Sequence, residues 1–355
     1  SITYTVTVAG SMDYYIDGFA TAKPVLDLQE GGTYIFDESD SSNSSHLFAF
    51  STTADGTFGG GTEYVTGVTH TGTPGQAGAK TTITVAASAP QLYYYCVYHG
   101  AMGGTANTTE AGSSNFQGTI SSIISANQAS GFSIIGWIGN QTGSSTVGHG
   151  LSKAPEFIIT KCRTASNQDW PTYHMGAGGT AANPLTPGIN GYINWNSNSQ
   201  WTSNGSFYDA LPTNTVFSPG GHSYVNSNTD PMISYCFHSV PGYSKIGVYR
   251  GNGTGHGPFV HTGFLPAMII IMQYDGTDNW TIWDTARDLY NGGSNSNWTL
   301  EGDTTSAEWS DSNFYHDKLS NGFKLRASHV QINQNNTDYL YLAFAKSPFK
   351  TSNAR

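Results

Sequence analysis

Three side chains that bind soft metal ions fall in one short loop of this sequence: Cys96, His99 and Met102, spaced Cys-x2-His-x2-Met. The loop follows the aromatic run Leu92-Tyr93-Tyr94-Tyr95, which alternates like a strand entering a turn. A thiolate, imidazole and a thioether suit copper, and a Cys with two His and a weak axial Met describes the blue-copper electron-transfer site. The second imidazole must come from elsewhere, and His46 stands about fifty residues upstream, after a Ser/Asp/Asn-rich loop. The alternative for the same residues is a buried small hydrophobe at Cys96 and polar loop-end histidines at 46 and 99.

The elements that would position these groups are short strands. Thr3-Tyr4-Thr5-Val6-Thr7-Val8 alternates strictly, and Tyr14-Tyr15-Ile16 is followed by the turn signal Asp17-Gly18. Pro24 to Leu28 and Thr33 to Phe36 flank Glu30-Gly31-Gly32, as a hairpin requires. Residues 52–78 are rich in Gly and Thr and read as a long loop with one strand near Thr62 to Val65; Lys80 to Val85 alternates again. Short strands separated by turns predict an antiparallel Greek-key sandwich in which His46 and the Cys96 loop meet at one end.

On these residues the stretch 1–107 resembles a cupredoxin: a Gly-x-x-x-x-Phe strand leads through a loop to the first His, and a late loop supplies Cys, His and Met in order. The tight loop is most similar to that of amicyanin. The resemblance implies copper held by His46, Cys96, His99 and Met102.

Composition sets the wider frame. The chain has 355 residues, enough for two domains, and only 11% are charged while Gly alone numbers 43. Turn-forming residues mixed with many aromatics point to an all-β protein. A net charge of -10 leaves no basic stripe for nucleic acid. The longest apolar run, Leu265 to Met272, is too short to span a bilayer as a helix, so membrane insertion is not expected. Three cysteines make no disulfide framework; Cys162 and Cys236 either pair or stand as buried thiols. The chain opens on Ser1, which implies a removed leader or numbering that starts inside a longer product.

Residues 108–130 change character and read as a linker. Beyond it, 131–350 repeats itself, 131–241 against 242–350, at an offset of about 110. Gly131-Phe132-Ser133 is echoed by Gly242-Tyr243-Ser244, Gly139-Asn140 by Gly251-Asn252, and Trp170 by Trp280. Phe217 is echoed by Phe323, and Met232 to Phe237 by Tyr339 to Phe344. Two copies of one β-unit, neither able to close a core alone, are expected to pack face to face as a single jelly-roll-like sandwich. The Gly-Phe-Ser strands, the Gly-His-Gly-Leu-x-x-x-Pro element from Gly148 and the closing Ala-Phe-Ala-x-x-Pro-Phe-Lys resemble a β-sandwich domain of virion and tail-associated proteins of marine bacteriophages.

That second resemblance implies a non-enzymatic structural virion protein: a fibre, tail-tip or capsid-decorating component at the virion surface. Its partners would be other virion proteins, further copies of the chain and host-surface glycans. Trp195, Trp201, Trp283 and Trp298 lie among Asn, Ser and Asp and are candidate glycan-binding rings. The rival expectation is an extracellular or periplasmic copper protein that carries electrons. A third, a glycan-processing enzyme, rests on Glu301, Asp303 and Glu308, whose spacing breaks the strand that paired acids need. No nucleophile elbow is visible.

Overall fold

The computed structural model describes residues 1–109, 112–177, 189–287, 291 and 298–348. The protein is all-β, with 42% of residues in strands and 4% in helices. It divides into two compact units, Ser1–Ser125 and Ala126–Arg355.

The first unit is a sandwich of two sheets. Its strands are β1 (Ile2–Ala9), β2 (Asp13–Ile16), β3 (Leu26–Gln29), β4 (Thr33–Asp37), β5 (Phe48–Ser51), β6 (Val68–Thr71), β7 (Lys80–Thr84), β8 (Leu92–Cys96) and β9 (Gly104–Thr109). One sheet runs β2-β1-β4-β7-β6 and the other β3-β9-β8-β5. The pairs β1/β4 and β3/β9 are parallel, so the chain crosses between sheets, as Greek-key connections demand. Alternate residues face inward: Tyr4 and Val6, Tyr14 and Ile16, Tyr34 and Phe36, Leu92 and Tyr94 are all buried. Phe48 lies between Phe36 and Tyr94, at 4.5 and 5.1 Å between ring centroids.

Two further strands, β10 (Ser113–Asn115) and β11 (Ser122–Asn127), occupy the stretch expected as a linker. The reason is polar satisfaction: buried tyrosines need partners for their hydroxyls. Tyr4 donates to the Ser114 carbonyl at 2.6 Å, and the Tyr34 hydroxyl meets Ser113 Oγ at 2.5 Å.

The second unit contains the duplication. Its first half comprises β12 (Phe132–Ile138), β13 (Val147–Gly148), β14 (Phe157–Cys162), β15 (Pro171–His174), β16 (Gly191–Asn194), β17 (Thr202–Ser203), β18 (Val216–Phe217), α1 (Ser223–Asn226) and β19 (Pro231–Phe237). Its second half comprises β20 (Ser244–Arg250), β21 (Phe259–His261), β22 (Pro266–Gln273), β23 (Thr281–Asp284), β24 (Trp298–Glu301), β25 (Trp309–Ser310), β26 (His316–Leu319), β27 (Gly322–Leu325), α2 (Val330–Asn333) and β28 (Asp338–Ala345).

Strand order β12-β19-β14-β15-β16-β17 is matched by β20-β28-β22-β23-β24-β25, and the small pair β13-β18 by β21-β27. The polar joints repeat too. Asn226 Nδ2 donates to Gly220 O, Thr142 O and Asn140 Oδ1, while its Oδ1 accepts from Asn140 N. Asn333 makes the same four bonds, with Ala327 O, Thr254 O, Asn252 Oδ1 and Asn252 N. Each short helix is capped by a histidine ring, His222 or His329.

Two expectations are corrected. The second half does bury a core of its own, in which Tyr249, Val260, Ile269, Trp283, Phe323 and Tyr339 belong to one cluster. The halves share a further core in which Phe157, Ile159 and Ile193 meet Ile246, Ile270, Met272, Leu340 and Leu342. Both faces of the second half's large sheet are therefore covered, one by its own core and the other by the packing of the two halves against each other.

The second correction concerns register. Gly131 and Gly242 correspond in conformation, both at positive φ (64° and 73°). The ladders behind them are offset by one residue, because Phe132 pairs with Phe237 whereas Ser244, not Tyr243, pairs with Phe344. A one-residue slip exchanges the two faces of a strand.

Cys162 and Cys236 are free, buried thiols.

Candidate metal centre

Antiparallel pairing of β5 with β8 sets Phe48 opposite Cys96. The start of β5 and the end of β8 thus lie at the same pole, and Val97 N–H donates to Leu47 O at 3.0 Å to carry the pairing one step further. His46 precedes β5, held by its N–H on Asn43 O at 2.8 Å, with Ser45 turned into the left-handed region (φ 65°). Asn43 is buried and donates to Val6 O at 2.7 Å, which fastens this loop to β1.

The three expected donors converge. Cys96 Sγ lies 3.8 Å from His46 Nδ1 and 3.7 Å from His99 Nδ1, and the three ligand atoms are all within 4.8 Å of one another. Cys96 is fully buried and the two rings are half-buried, at 4.6 Å between centroids. Burial, and then the neighbouring His99, hold the His46 imidazole below its ordinary pKa, which favours the neutral form that ligates. With metal–sulfur and metal–nitrogen bonds of about 2.3 and about 2.0 Å, a trigonal centre separates N from S by about 3.7 Å. The two observed Sγ–Nδ1 separations match that value. Met102, the fourth expected ligand, is buried in the core of the same unit.

The loop that carries these groups is fastened from outside. Ala101 N–H donates to Asp55 Oδ1 at 2.7 Å, Ala101 O accepts from Lys23 Nζ at 3.2 Å, and Met102 O accepts from Tyr14 N–H at 3.1 Å. At Gly103 a Cβ would lie 1.8 Å from Tyr94 O, so glycine is required where the loop turns into β9. Tyr14 is fully buried, and its hydroxyl pKa is driven up by burial first and by Cys96 second. Sequence reasoning missed Asp55, Lys23 and Tyr14: the first two stand 46 and 78 positions from Ala101, Tyr14 lies further still from Met102, and none belongs to a motif.

The tryptophans distribute differently from the expectation. Trp283 is fully buried, stacked at 3.8 Å on His316 with Nε1 donating to Thr299, and no sugar can reach it. Trp195 and Trp201 are half-buried and pack against the core shared by the two halves, so they too serve that interface. Trp298 is 39% exposed. The acids considered for catalysis are engaged structurally: Glu301 accepts from Gln331, Asp303 from Trp280 N–H, and Glu308 pairs with Arg287. Among the described residues, His46, Cys96 and His99 form the single cluster able to hold a metal.

The site and fold together define an all-β chain with a soft-metal donor cluster at one pole of its first unit and a duplicated sandwich behind it in sequence. The chain belongs to the family described as a domain of unknown function (DUF7483), whose model matches residues 104–348. The match takes in β9 and the whole described part of the second unit, and the four expected metal ligands lie outside it. No curated protein and no solved structure matches the chain.

Proposed function

We propose that the first unit binds copper in a mononuclear site of the blue-copper type, with Cys96, His46 and His99 as the close donors and Met102 as the weak axial one. The observation that carries this reading is the position of Cys96 Sγ, within 3.8 Å of two imidazole Nδ1 atoms. Copper bound by such a donor set supplies one-electron chemistry. The protein's own part is to bury the sulfur, keep His46 neutral and hold the loop. Adding Cu(II) to the chain is expected to give an intense orange-red absorption that Cys96→Ser abolishes. A colourless wild-type protein with no copper retained after dialysis overturns the proposal.

A second reading concerns where the chain works: a structural component at the surface of a bacteriophage particle, in contact with other virion proteins and further copies of itself. It is supported by the sequence resemblance of the duplicated sandwich and by the doubled asparagine joints, which suit a rigid, load-carrying module. In that setting the metal is a staple between the His46 loop and the Cys96 loop, contributing folding energy. Antibody labelling of purified particles is the check, and protein found only free in solution rejects it. Contact with host glycans would run through the exposed Trp298, and loss of glycan-array binding in Trp298→Ala tests that part.

A further inference from the structure

The residue between His99 and Met102 that decides where the methionine falls is Ala101, and its backbone is left-handed, with φ 64°. That conformation suits glycine and is unfavourable for alanine. Something outside the loop must hold it. The peptide before Ala101 gives its N–H to the Asp55 carboxylate at 2.7 Å, and the peptide after it gives its carbonyl to the Lys23 ammonium at 3.2 Å. Both torsions of Ala101 are thereby set by charged groups from two distant segments.

The grip is itself braced. Lys23 Nζ forms an ion pair with Asp13 at 2.9 Å, and Lys23 N–H donates to Tyr14 O at 2.8 Å. Tyr14 N–H in turn holds Met102 O. Asp55 also closes on Gly100, where a Cβ would stand 3.2 Å from its Oδ2.

We propose that Asp55 and Lys23 are positioning residues, a charged clamp on either side of Ala101 that keeps the ligand loop in its metal-binding shape before any metal arrives. The inference rests on the copper reading and deepens it, because it assigns the preorganisation of the site to two side chains that ligate nothing. Charged partners suit this task, since hydrogen bonds to ionised groups are about twice as strong as neutral ones.

The test is Cu(II) titration of the full chain as wild type, Asp55→Ala, Asp55→Asn and Lys23→Met, read by optical absorption and electron paramagnetic resonance. Asp55→Ala and Lys23→Met are expected to weaken binding by about 10–100-fold, the usual cost of losing an outer partner of a metal ligand. They are also expected to alter the copper hyperfine splitting. Asp55→Asn keeps an acceptor oxygen and should restore most of the affinity. In metal-free Asp55→Ala the Ala101 amide should exchange with solvent at least tenfold faster. Wild-type spectrum, affinity and exchange in both Asp55→Ala and Lys23→Met overturn the clamp while leaving the copper site standing. Absence of a copper band in the wild type overturns both. Should Asp55→Ala fail to fold, Lys23→Met and Asp55→Asn decide the matter by the same readouts.

Discussion

Replacing Asn333 by alanine tests the duplication at atomic level. Asn333 is fully buried and its amide ties α2 to the loops at Thr254 and Ala327. Truncation strands the buried Ala327 carbonyl, at about 1–3 kcal/mol for such a group. The partners at Asn252 and Thr254 are exposed, so water replaces part of what they lose, leaving roughly 0.5–1.5 kcal/mol per bond. With three such bonds beside the stranded carbonyl, the sum is about 5 kcal/mol. Asn226→Ala breaks the same bonds in the first half, with Gly220 buried and Asn140 and Thr142 exposed, and should cost the same within about 1 kcal/mol.

The assay is urea unfolding of the full chain followed by tryptophan fluorescence, because all eight tryptophans lie beyond residue 125 and report the second unit alone. A cost below about 1 kcal/mol at either site refutes the reasoning, since a buried carbonyl would then have been stranded for nothing. So does a gap between the two sites larger than about 2 kcal/mol, because equal bonds would then be carrying unequal weight.

The two units are expected to respond to pH in opposite directions. In the second, burial lowers His149 to about 4 and His174 to about 3. Their folded pKa values lie below the unfolded one, so their contribution is present above about 6.5 and is lost as pH falls towards 4, by about 3 kcal/mol for His149 alone. Urea midpoints at pH 7 and 4.5 check this, and equal midpoints reject it. In the first unit burial raises Glu38, whose carboxylate accepts from Phe48 N–H and Thr81 Oγ1. A raised acid stabilises below its unfolded pKa and loses that contribution as pH rises through the folded one. Glu38→Gln, able to accept from Phe48 and donate to Thr81, should therefore gain on wild type as pH increases, measured by tyrosine near-ultraviolet dichroism. No gain at pH 8 rejects it.

The metal cluster was legible because few residue types bind soft metals, and Cys96, His99 and His46 declare themselves by chemistry. The duplication was legible through Asn140 and Asn252, whose side chains each close a turn by accepting from the N–H two residues on, Thr142 and Thr254. What the residues could not disclose is which side of a doubly covered strand a side chain takes. β28 is buried at Asp338 through Ala343 without alternation, so no period-2 signal tells its two faces apart. Asp55 and Lys23 look like ordinary surface charges until the fold brings them to Ala101. The slip between β12 and β20 is hidden in the sequence because Ser133 and Ser244 match as letters while their ladder partners differ.

The apolar seam joining the two halves of the second unit has a cost in time. On a ribosome the first half emerges while its partner is still about 107 residues from complete, some 5–20 s at ordinary elongation rates. Throughout that interval Phe157, Ile159 and Ile193 lack the second-half residues that cover them in the folded chain. Two nascent chains on one messenger would present the same sticky face to each other, so slow synthesis or crowding should favour exchanged dimers over monomers.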